Sequence, residues 1–249
     1  EISECLVGSE MCIRDRVFGK AEEILKAEQM SFGDIVRQWN YLERITDIVH
    51  GNQCYQDFND IRSQFYASSE WTSGYPAATG IGTQHGGILV DFNAVKGGIE
   101  IIPLDNDWQK AAHVYSDEVL ISHRTDAEKG TPKFERGKSL SDYQCEMIYI
   151  SGTAAIRGEE SIVTGDVLVQ TEITLENIQH LIGLEEGREK LPEHSGKLEL
   201  LRVYLKHEED AKIVKEDMDK LCPDVPIVYL YADVCREELL VEIEGIAYL

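Results

Sequence analysis

Two carboxylates near the C-terminal end are the side chains best placed to do chemistry. Glu242 and Glu244 occur in an otherwise apolar run, and Val241 and Ile243 flank Glu242. Residues two apart in a β-strand point to the same face, so the two carboxylates would lie side by side, where they help to hold one proton. A buried Glu with a raised pKa can act as a general acid near neutral pH. Alternatively, both side chains face solvent.

Several basic side chains could bind the carboxylates of a small anionic ligand. Arg157 follows a Ser-Gly-Thr-Ala-Ala turn, Lys206 ends an apolar strand, and Arg136 ends a Phe-Glu-Arg motif. Because a guanidinium binds a carboxylate in a bidentate fork, Arg157 and Arg136 suit this role better than Lys206. Arg202 and Arg236 are weaker candidates. Each of these residues could instead be an ordinary surface charge.

Composition and charge exclude several classes of protein. The 249 residues carry 24 Lys and Arg against 46 Asp and Glu, a formal net charge of −22. Generic nucleic-acid binding is disfavoured, because phosphate contacts need clustered cations. No apolar run is long enough to span a bilayer. With 43% hydrophobic residues, the chain can bury a substantial core.

Histidines and cysteines give no sign of a metal or a disulfide framework. The seven His form no HxxxH pair, and the Cys outside the first 16 residues form no CxxC motif. We therefore predict no metal and no cofactor. Scattered single cysteines are typical of reduced thiols, which predicts a cytoplasmic protein. These cysteines are Cys54, Cys145, Cys222 and Cys235.

The first 16 residues are predicted to be foreign to the fold. The run from Leu6 to Asp15 resembles the translation of a common transposase sequencing adapter, as occurs where a metagenomic contig begins inside a gene. On this interpretation the native fold starts near Val17, the first domain is truncated, and its sheet edge near Trp39 is unpaired. The alternative is an ordinary N-terminal strand.

The periodicity of apolar residues predicts the same order of elements twice. Each half contains a helix, a strand, a second helix and two further strands. In the first half these elements are expected around residues 18–25, 34–45, 55–65, 75–81 and 87–95. In the second half, a strand at residues 144–156 comes first, and the repeated elements are then expected from 166, at 197–206, from 210, at 227–234 and at 239–247.

The duplication predicts an α+β fold made of two units, each a mixed sheet with two helices on one face. We divide the chain into a foreign segment at 1–16, a truncated first domain at 17–104, a connection at 105–137 and a complete second domain at 138–249. The connection is polar and contains Gly130 and Pro132.

Several motifs resemble those of a known superfamily. Motifs in the second half resemble a RidA (YjgF, endoribonuclease L-PSP) domain: Ile150-Ser-Gly-Thr-Ala-Ala155, Thr164-Gly-Asp166, Gln170-Thr171, Thr174-Leu-Glu-Asn-Ile178 and Leu240-Val-Glu-Ile-Glu-Gly-Ile-Ala247. Three others more closely resemble its chorismatase branch: Tyr75-Pro-Ala-Ala-Thr-Gly-Ile-Gly82, Pro132-Lys-Phe-Glu-Arg136 and Asp233-Val-Cys-Arg236.

The resemblance implies a hydrolase or lyase that splits the enolpyruvyl ether of chorismate. Such enzymes release pyruvate with either a cyclohexadiene diol or a hydroxybenzoate. In the family pattern the first Glu of the closing strand faces the site, which implies that Glu242 protonates the enol carbon. Glu244, Arg157, Arg136 and Lys206 are then expected to contact the dianionic substrate.

Further pocket residues follow from the same resemblance. Ala154 and Ala155 fall where the chorismatase pocket has a small residue. Tyr231 falls about where the family places a Cys or a small residue that steers product choice, so a phenol there would alter the pocket. Tyr149 is a further substrate-binding candidate. These tyrosines could equally be ordinary sheet aromatics.

Two other functions remain open. One is a RidA-type enamine or imine deaminase; active members carry an Arg on the strand before the last, where this chain has Tyr229. The other is a non-catalytic protein that binds a small molecule. A homotrimer is also expected, because a lone unit of this kind leaves one sheet face apolar and closes by association. From the charge and the lack of a long apolar run, neither a nucleic acid nor a membrane is expected as a partner.

Overall fold

The α+β fold class is confirmed by a computed structural model, which describes residues 10–116, 118–121, 129–142, 146–183 and 197–248 and the side chains from residue 15 onwards. The predictions for residues 1–9, His123, Gln144 and Cys145 lie outside this part of the chain. Residues 10–16 form the first turns of a helix, whereas the alternative interpretation predicted a strand.

The first unit contains a three-stranded sheet with two helices. Its elements, in chain order, are α1 (Glu10–Ala27), β1 (Ile35–Glu43), the short strands β2 (Ile48–Val49) and β3 (Asn52–Gln53), α2 (Cys54–Tyr66), β4 (Ala77–Thr83) and β5 (Ile88–Ala94). The sheet has the order β4-β1-β5, with β1 parallel to β4 and antiparallel to β5. The expectation of an unpaired edge near Trp39 is wrong, because Trp39 lies on the central strand.

The second unit contains a six-stranded sheet with two helices. The elements from residue 100 onwards are β6 (Glu100–Leu104), β7 (Gly137–Ser141), β8 (Glu146–Thr153), β9 (Ile156–Arg157), β10 (Glu160–Ser161), α3 (Val167–Leu181), β11 (Lys197–Leu205), α4 (Ala211–Leu221), β12 (Ile227–Tyr231) and β13 (Val241–Tyr248). The sheet order is β12-β11-β13-β8-β7-β6.

The predicted repeat is present in the topology. In both units a central strand, β1 or β11, is parallel to one neighbour and antiparallel to the other. The second sheet is extended by β8, β7 and β6. Glu100–Leu104, which we placed at the end of the first domain, pairs with Gly137–Ser141 as the edge strand of this second sheet.

Two features of the second unit are irregular. A register shift between Leu198 and Leu200 turns Leu198 into the core that contains Leu201. Asp210 precedes α4 but makes no side-chain capping hydrogen bond. Asp166, by contrast, caps α3 by accepting hydrogen bonds from the backbone N–H groups of residues 168 and 169.

Each sheet packs its helices on one face and meets the other unit through side chains on the opposite face. In the second unit, Leu175 of α3 and Met218 of α4 pack in the same apolar core. Across the boundary between the units, Arg37 on β1 forms an ion pair with Glu244 on β13. β4 packs against β8 along the same boundary. The arrangement therefore brings β4, β8 and β13 together at one place.

Candidate active site

A cavity lies at the boundary where the two units meet. It contains about 580 Å³ of empty volume, part of which is open to solvent. The first unit contributes Tyr55 from α2 and Thr79 from β4, and the second contributes Gly152 from β8 and Glu242 from β13. A site built from both units explains why the chemistry-bearing residues are far apart in sequence.

Glu242 places its carboxyl group in the wall of this cavity. Its side chain is 5% exposed, and none of the hydrogen bonds found in the described part of the chain involves it. Burial, followed by the nearby charge of Glu244, raises the pKa of Glu242 to about 8, although Arg37, Arg236 and Arg136 act in the opposite direction. Glu242 is therefore protonated at neutral pH and can donate a proton into the cavity.

Glu244 has the opposite protonation state. Arg37 and Thr79 donate short hydrogen bonds to one carboxylate oxygen. The other oxygen accepts from Trp39 Nε1 at 2.9 Å and Arg202 Nη1 at 2.7 Å. Burial alone would raise the pKa of Glu244, but these partners, led by the charge of Arg37, hold it below its ordinary value. Glu244 is an ionised group inside a saturated network and does not line the cavity.

Two arginines give the cavity wall its positive charge. Arg136 is 4% exposed and Arg236 is 8% exposed. Arg136 Nη2 donates to the carbonyl of Lys110 at 2.6 Å and also to the Tyr115 hydroxyl, while its buried Nε has no partner. Arg236 Nη1 donates to the carbonyl of Glu159 at 2.8 Å. Within the described residues, neither guanidinium has a carboxylate partner.

The backbone next to Glu242 departs from regular strand geometry at Gly152. The pairing of β13 with β8 shifts register opposite Ser151 and Gly152, which leaves a bulge at the cavity. Gly152 N donates to Thr79 Oγ1 at 3.0 Å instead of continuing the ladder. Ala154, which follows the bulge, lines the cavity, whereas Ala155 is buried and does not line it.

Two predicted cations lie elsewhere. Arg157 pairs with Glu176 at 2.7 Å, and its guanidinium lies 4.7 Å from the ring centroid of Trp108. Lys206 Nζ pairs with Glu237 at 2.9 Å. Neither residue lines the cavity. Of Arg157, Lys206 and Arg136, only Arg136 lines the cavity. Arg236, a weaker candidate by sequence, also lines it.

The two predicted tyrosines also lie outside the cavity. Tyr231 ends the edge strand β12 and is 54% exposed, while Tyr149 accepts a hydrogen bond from Asn93 Nδ2 at 3.1 Å. The thiol in the cavity wall belongs to Cys235, four residues after Tyr231. Burial, together with the neighbouring Glu242, raises the pKa of Cys235 to about 12, so this thiol stays protonated.

Sequence reasoning missed the contributions of the first unit. Tyr55, Thr79 and Asn40 line the cavity, and Asn40 Nδ2 donates to the Thr79 carbonyl at 3.0 Å. Arg37 offered a signal, because a cation inside the apolar start of a predicted strand needs a buried partner. Thr79 lies in the Tyr75–Gly82 motif that resembles the chorismatase branch. Tyr55 and Asn40 carried no signal, since Tyr and Asn are common in helices and strands without function.

No group of three or more His, Cys, Asp or Glu side chains within the described residues could hold a metal ion. Among the helices of the same residues, none is long and apolar enough to cross a membrane. The polar side chains that line the cavity include a carboxyl, two guanidiniums, hydroxyls and a thiol.

Comparisons with known proteins find similar sequences over most of the chain. The family model described as "Chorismatase FkbO/Hyg5-like, N-terminal" matches residues 8–94. A 3-hydroxybenzoate synthase of Streptomyces hygroscopicus is 31% identical over 234 residues, which cover 88% of this chain and 65% of that protein. A chorismatase of Streptomyces rapamycinicus is 33% identical over 227 residues, covering 87% and 65%. The chain thus spans just under two thirds of these relatives.

A solved structure matches over most of the chain. A chorismatase crystal structure superposes with a TM-score of 0.76 at 28% sequence identity, covering 93% of this chain and 70% of that one. By sequence and by fold, the chain is similar to chorismatases over most of its length.

Proposed function

We propose that this protein splits the enolpyruvyl ether of chorismate and releases pyruvate. The single observation that carries the proposal is the pairing, in one cavity, of a protonated Glu242 with two guanidiniums that have no carboxylate partner among the described residues. Chorismate has two carboxylates and an acid-labile enol ether. Arg136 and Arg236 match the first feature, and Glu242 matches the second.

The reaction begins with proton transfer from Glu242 to the terminal methylene carbon of the enolpyruvyl group. The adjacent ether carbon becomes an oxocarbenium ion, and the Glu242 carboxylate is left behind. If water adds to that carbon, the hemiketal collapses to pyruvate and a cyclohexadiene diol, and the proton lost from water restores Glu242. If instead the bond between the ring carbon and the ether oxygen breaks, pyruvate leaves as the ketone. The ring then loses a proton to the Glu242 carboxylate and aromatises to a hydroxybenzoate, without net consumption of water.

Binding rests on donors that the fold leaves unused. A guanidinium has five N–H donors, and the intramolecular bonds of Arg136 use only its Nη2 atom. Its Nε is buried without a partner, which is costly unless a ligand accepts from it. A substrate carboxylate would satisfy this atom and neutralise a charge that the cavity wall otherwise leaves uncompensated.

Product choice is proposed to depend on Cys235. The family resemblance implies a Cys or a small residue at the position that steers product choice, and Cys235 is the cysteine among the described residues that line the cavity. It lies beside Glu242, and burial keeps its thiol protonated. The exposed Tyr231 is not proposed for this role.

The test is an assay of pyruvate released from chorismate. We expect release by the unmodified protein, and a loss of at least about 10²-fold in Glu242→Gln, because the amide keeps the shape of the side chain but cannot protonate carbon. Glu199→Gln, an exposed change on β11, is the matched control and should retain activity.

Two outcomes would favour the other functions. Hydrolysis of an imine with chorismate left intact would indicate a deaminase, although β12 has no Arg and none of its residues lines the cavity. Chorismate binding without release of pyruvate, equal in the protein and in Glu242→Gln, would indicate a binding protein.

A further inference from the structure

The carboxylates of Glu242 and Glu244 are two residues apart on β13 but have different surroundings. Glu242 faces the cavity and makes no hydrogen bond to the described residues, whereas Glu244 accepts hydrogen bonds from five side chains. Neighbouring titratable groups with contrasting surroundings often divide the roles of acid and support between them. Glu244 was expected to touch substrate, but its contacts leave it no oxygen free to do so.

The contacts of Glu244 cross the boundary between the two units. Arg37, Trp39 and Thr79 come from the first unit, and Arg202 and Tyr204 come from the second. The Arg37–Glu244 pair is 1% exposed on both sides, so solvent does not screen it. Loss of either partner would leave a buried charge, which fixes both side chains in place.

Thr79 connects this network to the acid. Its hydroxyl donates to Glu244, accepts from Arg37 Nη2 at 2.6 Å, and accepts from Gly152 N at 3.0 Å. A hydroxyl has one proton and two lone pairs, so the Thr79 hydroxyl is saturated and its orientation is fixed. The backbone of Gly152, held in this way, lies directly against the Glu242 carboxyl.

We propose that Glu244 is a positioning residue for Glu242, and that Thr79 transmits its influence by holding the Gly152 backbone against the acid. The ionised Glu244 keeps a negative charge beside Glu242, which disfavours a second negative charge there. The same network fixes the bulge on which the acid rests. This role rests on the proposed function of Glu242 as the proton donor.

Other charges around Glu242 must be included in any account of its protonation. The groups facing it are Glu244 on its own strand, Arg37 on β1, Arg136 before β7, Arg236 and Cys235 in the turn after β12, and Tyr55 on α2. Three of them are cations that favour the ionised form of Glu242. Removing the charge of Glu244 would therefore leave these cations opposed by burial alone.

The first experiment compares pH profiles of pyruvate release from chorismate by the full chain and by Glu244→Gln. The reaction needs protonated Glu242, so activity falls as the pH rises through its pKa. In Glu244→Gln this fall in activity should move to lower pH by about one unit or more. The negative charge of Glu244 is lost, and the positive charge of Arg37 is left without its ionised partner. An unchanged profile would overturn the proposal.

A second pair of variants does not depend on a charge change. Thr79→Val removes the hydroxyl at nearly constant shape, and we expect kcat to fall about tenfold or more with little change in KM, as a displaced acid would cause. Thr79→Ser should restore most of the rate. Thr83→Val, on the same strand but outside the cavity, is the matched control. Equal effects of Thr79→Val and Thr83→Val would contradict the proposal.

A readout independent of turnover separates the two hypotheses. The infrared carbonyl band of a protonated carboxyl, assigned by its loss in Glu242→Gln, should disappear at lower pH in Glu244→Gln than in the unmodified protein. That shift without any cleavage of chorismate would support the positioning role and reject the proposed function. Cleavage of chorismate with no shift in either measurement would reject the positioning role alone.

Discussion

A Cβ atom added to Gly152 would lie 2.1 Å from Oε1 of Glu242 and 2.9 Å from Cγ2 of Thr79. Real Cβ atoms do not approach other heavy atoms so closely. The Glu242 carboxyl can therefore occupy its position only because residue 152 has no side chain. The bulge of β8 presents this bare backbone to the cavity. Gly152 is therefore part of the acid's immediate support, although it has no functional group.

Gly152→Ala should lower pyruvate release by about 10²-fold, because a displacement of about 1 Å at a reacting group can cost that much. Circular dichroism should show that the fold is retained. Gly19→Ala is the matched control, because Gly19 lies in α1 with no atom within 4 Å of an added Cβ. It should leave activity unchanged and raise the free energy of unfolding by about 0.5–1 kcal/mol. Full activity in Gly152→Ala would show that Glu242 has room to move.

The pH profile should have its upper limb near the pKa of Glu242, which is about 8. Only the protonated form donates, so kcat/KM should hold below this pH and fall above it. The same group affects stability. Its pKa is higher in the folded chain than in the unfolded one, so its contribution to stability is present at low pH and is lost as the pH rises through about 8.

This linkage gives Glu242→Gln a second signature. The amide cannot ionise, so the variant should unfold at a higher temperature than the unmodified protein at pH 9 while differing less at pH 5. Thermal denaturation at the two pH values measures the difference. A melting temperature that changes equally at both would indicate that the carboxyl is not held protonated by burial.

Arg136 and Arg157 should differ sharply when each is changed to Ala. Arg136→Ala should raise KM or the Kd of chorismate about 10- to 100-fold, the value of one or two charged hydrogen bonds, with a smaller effect on kcat. Arg136→Lys should recover only part of the affinity, because the fork is lost. Arg157→Ala, whose partners lie outside the cavity, should stay within about twofold in affinity. The reverse order would mean that substrate binds elsewhere.

Cys235 should influence the ratio of products and Tyr231 should not. Cys235→Ala removes a neutral thiol beside Glu242 and should change the proportion of diol to hydroxybenzoate while pyruvate release continues. Tyr231→Ala, on the exposed edge strand, is the matched control. Chromatography of the aromatic and diol products measures both. The same ratio in Cys235→Ala and in the unmodified protein would remove Cys235 from product control.

The sequence predicts the repeated elements well because their signals are local. Apolar spacing gives Phe18 and Leu25 a common helical face, and both are buried. Apolar character alone does not place a residue in the core, because Ile24 in the same predicted helix is 51% exposed. Glu100–Leu104 could not be placed, because a strand's periodicity does not say which sheet it joins.

The site is predicted less completely than the fold, for physical reasons. Glu242 could be found because a carboxylate inside an apolar strand is costly and so needs an explanation. Arg157 was misplaced because its side chain turns towards Glu176 and Trp108, and the sequence does not give the direction of a side chain after a turn. The sequence interpretation associated product choice with Tyr231, but β12 ends at Tyr231 and Cys235, in the turn that follows, lines the cavity.

Lys138 should hold the two units together. It lies on β7 of the second sheet, is 1% exposed, and donates through Nζ to three carbonyls of the first unit, those of Ser73 at 2.7 Å, Gly74 at 3.0 Å and Tyr75 at 2.6 Å. Lys138→Met would fill the space but leave these acceptors without a donor, so the free energy of unfolding should fall by at least about 2 kcal/mol.

Lys212→Met, an exposed change on α4, is the control for the loss of a positive charge. The pH dependence adds a second test, because burial lowers the pKa of Lys138 from 10.5 to about 8. Between these values the unfolded chain binds more protons than the folded one, so Lys138 contributes more stability as the pH rises through this window. The difference in unfolding free energy between the unmodified protein and Lys138→Met should therefore widen from pH 8 to pH 10.5, and a constant difference would mean that Lys138 is not buried against the first unit.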